Sequence, residues 1–271
     1  MLTTQWIIDT MRAWAPPEWA EPWDNVGLLV GDAARPVARV LTALDLSEPV
    51  LREAVQGRFD VVVTHHPLFR EGVRHITTDT TLGKKIMTLI GNGICLFVAH
   101  TNLDVAPGGV NDVLAQRLGL EAAAPLYTPA PGKRAMGAVG MLPHPMPLEA
   151  FAAEVGRRLD MPFAPHFSGM PGKMVQRVGV CGGGGTGHIP EALAAGCDVF
   201  VTGDVKYHQA CETWENGLAL VDGTHYATEA PIVPIMAQHL QQAALSQGVA
   251  LEVAVSQADG QVFATPQTSA G

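Results

Sequence analysis

At 271 residues, 47% hydrophobic and 16% charged, with 29 Gly and 20 Pro, the chain has room for one large or two ordinary globular domains rich in turns, and can bury a core without disulfide staples. A net charge of −9 with no run of Lys or Arg argues against a nucleic-acid partner, and no apolar stretch approaches a membrane span. Cys95, Cys181, Cys197 and Cys211 lie far apart with no C-x-x-C pair, which disfavours a zinc knuckle and fits reduced thiols, so we expect a soluble, cytoplasmic protein.

The N-terminal segment carries neither a basic n-region nor a long apolar h-region; Ile7, Met11 and Trp14 recur at helical spacing and predict an amphipathic first helix. VARVLTALDL reads as a strand, Ser47 as the cap of a helix to about Gln56, and FDVVVTHH as the next strand. Thr80 or Thr81 opens a helix to about Gly91, ICLFVAHTNLD reads as a strand and VNDVLAQRLG as a helix. YTPAPGKR, dense in Pro and Gly, reads as a linker. The alternation then resumes: AMGAVGML strand, PLEAFAAEVGRRL helix, QRVGVC strand, IPEALAAG short helix, CDVFVTG strand, VKYHQACETWEN helix, LALVDG strand, a helix over about 232–247, and LEVAV.

Strands alternating with helices predict an α/β fold of mainly parallel sheets flanked by helices. We place a first α/β half at 1–125, a second at 126–256 and a flexible tail at 257–271. The halves also resemble each other. A constant offset of 138 residues carries Arg39-Val40 onto Arg177-Val178, Glu53-Ala54 onto Glu191-Ala192, and Asp60-Val61-x-Val63-Thr64 onto Asp198-Val199-x-Val201-Thr202. That register points to an internal duplication, and it equates the tip His65-His66 with Gly203-Asp204. Both tips fall at strand carboxyl ends, the edge where open α/β sheets place their sites.

Four tips offer ligand-type side chains: His65 and His66; His100 and Asp104; Asp204 and His208; His225 and Glu229. Pro67 holds His66 extended, so adjacent imidazoles can fan toward two points. Imidazoles mixed with carboxylates suit Zn, Fe, Mn or Ni rather than calcium. Pro231 and Pro234 place the start of the helix proper beyond Glu229, leaving His225-x3-Glu229 on a turn.

WDNVGLLVGD (Trp23 to Asp32), VVTHHPLF, HTNLD, a glycine-rich turn after a strand, TGDVKYH and GTHYATE occur in the order found in the NIF-three-like dinuclear-metal proteins, also called GTP cyclohydrolase type 2 homologues, and the chain resembles that family from about residue 20 to 255. The resemblance implies that His65, His66, Asp104, His225 and Glu229 ligate two divalent ions, with Glu229 bridging, at strand carboxyl ends between two related α/β domains. It further implies a toroidal homohexamer, in the compact form that lacks the extra domain of longer members. The function expected is metal-dependent hydrolysis of a small molecule, a nucleotide on the family's pattern, by ring opening, with His100 or His208 supplying the proton. Three other readings stand beside it. The same centre would serve a phosphoester, or a non-catalytic metal-binding or scaffold protein. The third uses GGGGTG (182–187), which satisfies G-x-G-x-x-G and would suit a dinucleotide-binding enzyme; against this, four glycines match that pattern almost by default. CGGGGTGH also departs from the Ser-containing turn of the family, and His188 is given no task. Trp23 and Asp24 are read as core filler and turn cap, Asp204 and His208 as outer contacts, and His75, His144, His166 and His239 as histidines without a role.

Overall fold

A computed structural model describes residues 2–264. The described residues fold as two compact units, the first taking those up to Pro107 together with Ile232–Gly260, the second taking Gly108–Pro231 and those from Gln261 to Ala264.

The first unit opens with α1 (Thr4–Trp14), whose Ile7 and Met11 are buried as their spacing predicts. An edge strand β1 (Gly27–Val30), then β2 (Arg39–Ala43), α2 (Glu48–Gln56), β3 (Val61–Thr64), α3 (Thr81–Asn92) and β4 (Cys95–Val98) follow. Ser47 caps α2 by accepting from Val50 N, and Thr80 caps α3 by accepting from Gly83 N. Every residue of β3 is buried, as expected for the middle strand of a sheet covered on both faces. The strand expected to continue through HTNLD stops at Val98. At His100 the backbone leaves the extended region (φ −112°, ψ −111°), and the next four residues wind into the short α4 (Thr101–Asp104).

The second unit begins with α5 (Val110–Arg117) and β5 (Glu121–Pro125), then β6 (Ala138–Pro147), α6 (Leu148–Arg158), the three-residue β7 (His166–Ser168), β8 (Met174–Val180), α7 (Ile189–Ala194), β9 (Val199–Thr202), α8 (Tyr207–Glu215), β10 (Ala219–Asp222) and α9 (His225–Glu229). Its sheet runs β5-β6-β8-β9-β10-β7, with β8, β9 and β10 parallel and the β5–β6, β6–β8 and β10–β7 pairings antiparallel. The sheet is therefore mixed, with a parallel centre and antiparallel margins. Val178, Val199 and Val221 pack on α6 through Phe151 and Val155, while Phe200 and Leu220 fill the opposite face with Leu126 and Ala192.

The chain then returns to the first unit as α10 (Ile232–Ser246) and β11 (Glu252–Val255). β11 adds in parallel beside β2 and completes the order β1-β4-β3-β2-β11, in which β1 alone is antiparallel. The last helix and strand thus belong with the N-terminal elements rather than with the second half, and the first division falls at Pro107 rather than after residue 125. Residues 256–259 are tied down: Glu53 accepts from Ser256 Oγ, Gln257 N and Ala258 N, and Asp259 accepts from Leu44 N. Of the tail expected from 257, only residues 265–271 lie outside the described residues.

Positions 138 residues apart share more than sequence. Val40 pairs with Val61 and Val178 with Val199. Asp60 Oδ2 accepts from Ala38 N (2.8 Å) and Arg39 N (2.9 Å), and Asp198 Oδ2 from Gln176 N (2.9 Å) and Arg177 N (2.8 Å).

Candidate metal centre

In the first unit, three imidazoles collect at the carboxyl edge of the sheet. His65 and His66 leave the tip of β3, and His100 stands just beyond β4 at the head of α4. His65 is fully buried and His100 7% exposed. Ring centroids lie 5.0 Å apart for His65–His66, 5.1 Å for His65–His100 and 5.6 Å for His66–His100, and one ring nitrogen from each falls within 4.8 Å of the others. The short α4 brings Asp104 to the same place, its Oδ1 3.5 Å from His65 Nε2, with both atoms sealed from solvent.

Each of these rings meets an acceptor at Nδ1. His65 Nδ1 is 2.9 Å from Ala99 O, His66 Nδ1 3.0 Å from Asp45 Oδ2, and His100 Nδ1 2.8 Å from Asp24 Oδ1. We assign the proton of the neutral rings to Nδ1 on this ground, which leaves Nε2 as the lone-pair nitrogen. That is the pattern of metal-binding histidines, whose second nitrogen is held by a carboxylate or carbonyl. Asp24 is the most enclosed of these partners, with a fully buried side chain. Burial opposes its ionisation, but hydrogen bonds from His100 and from the Thr101 hydroxyl and N–H hold it well below the usual carboxylate range. His100 is pushed the other way. Burial, reinforced by the neighbouring His65 and His66, outweighs Asp24 and lowers its proton affinity, favouring the neutral form a cation requires.

The second unit makes its own cluster. His225 Nδ1 lies 2.7 Å from Asp204 Oδ2 and His225 Nε2 3.1 Å from Glu229 Oε2, with Glu229 only 4% exposed. The pair stands on α9, a single helical turn where a turn was expected, and the longer α10 starts beyond Glu229 as Pro231 and Pro234 suggested. Thr224 nucleates that turn by accepting from Ala227 N, so residues i and i+4 share a face. Strained backbone sets the ring in place. Thr224 adopts φ 60°, ψ 154°, a region almost reserved for glycine, and Asp204 sits at φ 56°. The glycine-rich turn packs against this group. A Cβ on Gly183, at φ +62°, would stand 2.2 Å from Glu229 Oε1, and one on Gly203 2.5 Å from His225 N. The glycines therefore serve close approach to a carboxylate and to helix α9. The turn runs on into a single 3-10 turn and the six-residue α7, so it lacks the long helix of a dinucleotide fingerprint.

Of the residues singled out from sequence, His65, His66, His100 and Asp104 come together in the first unit, and His225 and Glu229 in the second. His208 is exposed on α8, its ring in a T-shaped contact with that of Tyr207. Trp23 does not fill core: it is 55% exposed, with Arg70 over its ring and its edge toward His100. His188 stacks on Tyr127, and His239 on Trp14. Asp45 and the ring-holding part of Asp24 were missed, although Asp45 stands just beyond the carboxyl end of β2, the edge that carries the histidines. The donor set, imidazole nitrogens and carboxylate oxygens with the rings held from behind, fits a divalent first-row metal.

The family model for Duf34/NIF3 (NGG1p interacting factor 3) matches residues 2–261. A protein of Streptomyces coelicolor named GTP cyclohydrolase 1 type 2 homolog is 39% identical, the alignment covering 92% of this chain and 90% of that one, and one of Clostridium acetobutylicum with the same name is 34% identical over 93% and 94%. Among solved structures, a Bacillus cereus protein related to NIF3 superposes with a TM-score of 0.91 at 26% identity, covering 98% of this chain and 99% of its own. With the family pattern matched along nearly its whole length, the chain belongs to the DUF34/NIF3 family.

Proposed function

We propose that the protein is a hydrolase whose His65, His66, Asp104, His225 and Glu229 hold two divalent ions, with Glu229 bridging them. The observation that carries this reading is the backing of the imidazoles. His65, His66 and His225 each offer Nε2 while Nδ1 is engaged by a carbonyl or carboxylate. Bound divalent ions supply Lewis acidity toward a substrate oxygen and toward water. The chain's own residues do the rest. Asp45 and Asp204 fix ring orientation, Asp24 keeps the proton of His100 on Nδ1, and burial keeps bulk water from the first-unit cluster. His100 and His208 are the proposed proton carriers, and the placement of His100 beside His65 and His66 favours it over the exposed His208.

The names of the relatives suggest the substrate class, a purine nucleotide such as GTP opened by hydrolysis at its imidazole carbon. On the same family pattern we propose assembly as a toroidal homohexamer. The shared strand registers and aspartate hydrogen bonds support descent of the two units from a duplication. The test is elemental analysis of protein reconstituted with Mn or Zn, paired with a formate-release assay on GTP. Two ions per chain with turnover is the expected result. Two ions without turnover leaves a metal-binding protein, and no ions after reconstitution overturns the centre.

A further inference from the structure

The second unit carries a groove of about 500 Å³ that the metal-binding residues do not line. One wall is α8, whose Tyr207, Ala210, Cys211 and Trp214 recur at i, i+3, i+4 and i+7 and so share one face. The floor is the sheet margin, where the register sets Ser168 beside Leu220 and His166 beside Asp222 on one face. Tyr207 is 76% and Trp214 54% exposed, unusual for two large rings on one helical stripe.

The polar groups in this groove are few and placed at defined points. Ser168 Oγ is sealed from solvent and has no hydrogen-bond partner among the described residues. Both oxygens of Asp222 are taken by main-chain donors, Oδ1 by Thr224 N (2.9 Å) and Oδ2 by Val205 N (3.3 Å). Lys206, at the head of α8, makes no ion pair among the described residues. The groove thus combines flat rings along its length, one enclosed hydroxyl, and, at one end, Lys206 and His166 together with the Asp222 carboxylate, whose oxygens are already held by main-chain N–H groups.

We propose that this groove binds an elongated aromatic anion, its ring system laid along Tyr207 and Trp214 and its acidic group at Lys206. Aromatic faces attract planar rings, and a cation at one end selects against neutral analogues of the same shape. The two rings stand seven residues apart on a helix, about 10 Å at 1.5 Å per residue, so a ligand touching both must be longer than a single ring.

The test uses 2-(4-toluidino)naphthalene-6-sulfonate as the anionic probe and the corresponding naphthyl alcohol as its neutral counterpart, on the full-length protein. The sulfonate should bind saturably, and Lys206→Met should weaken it about tenfold while leaving the alcohol unchanged; Trp214→Ala should weaken both about tenfold, the scale of one lost ring or charge contact. Cys211 offers a second readout. Cys95, Cys181 and Cys197 are buried, so native alkylation by iodoacetamide reports on Cys211, and the bound sulfonate should slow it. Both substituted residues are exposed, and matched melting curves verify folding. Absence of saturable binding, or equal binding by both variants, overturns the proposal. A change in assembled mass on Trp214→Ala with probe binding unaltered also overturns it, since the stripe would then be a contact between copies.

Discussion

Asp24→Asn is the sharpest test of how the imidazole cluster is held. The carboxylate accepts from four donors: Asn25 N and His100 Nδ1, each at 2.8 Å, Thr101 N at 3.0 Å, and the Thr101 hydroxyl. An amide oxygen can serve the two Thr101 donors, which turns the amide NH2 toward Asn25 N–H and His100. One main-chain donor then faces a donor, and hydrogen bonds to a charged acceptor, which contribute roughly 1.5–3 kcal/mol each, become neutral bonds at about 1 kcal/mol. One bond lost and the three others weakened come to about 3–9 kcal/mol, a large part of the roughly 5–15 kcal/mol that holds a folded domain. His100 can rescue its own bond only by moving its proton to Nε2, which sends an N–H instead of a lone pair toward His65 and His66. Urea unfolding of metal-free protein reads the stability, and long-range nitrogen–proton correlations of the His100 ring read the tautomer. An unfolding midpoint equal to wild type, or a His100 proton still on Nδ1, refutes the reasoning.

Glu229→Gln keeps shape but removes an anion, so calorimetric titration with Mn or Zn should show loss at both ions, whereas His66→Ala should empty mainly one. Asp204→Ala takes away the carboxylate behind His225 and should weaken metal binding by about 10–100-fold in the same titration, without abolishing it. Gly183→Ala puts a methyl where Glu229 Oε1 stands and strains a left-handed backbone, so it should cost roughly 1–3 kcal/mol in urea unfolding and lower metal occupancy too. Glu53 has burial working against its ionisation, but Ser256, Gln257 and Ala258 hydrogen-bond the carboxylate and depress it below its ordinary value. The stability it contributes is present above the unfolded value of about 4.3 and fades as pH falls through the lower folded value, so Glu53→Gln should flatten the acid limb of stability against pH below about 4.3.

The elements that the sequence announced clearly are those whose pattern is set by burial and capping. β3 is an unbroken apolar run and is the central strand; Ser47 and Thr80 cap as their types predict. The margins were illegible for a physical reason. β5 and β7 are short edge strands with exposed residues, stabilised by the neighbour they pair with rather than by their own apolar periodicity. HTNLD looked like a strand continuation because the one local signal of the break at His100 is Asn102, whose Oδ1 accepts from His100 N. The bend is otherwise held from a distance, by Asp24 receiving Thr101 N. The histidines and acids could be read as ligand types from their place at strand ends. Which acid stands behind which ring could not, since Asp24 reaches His100 across 76 residues of chain.

The discontinuous first unit has a consequence for how the protein is made. The second unit is one unbroken segment but for its last few residues, so it can pack while the rest of the chain is still being synthesised. The first unit cannot: β2 keeps a bare parallel edge until β11 arrives more than two hundred residues later, when Glu252 takes its place beside Arg39 and forms an ion pair with it. During that interval the five-residue edge of β2, four of whose side chains are buried in the finished fold, is exposed to any other nascent strand. A stalled or truncated product ending before residue 252 is therefore the form of this protein most prone to aggregate, with its second unit already folded.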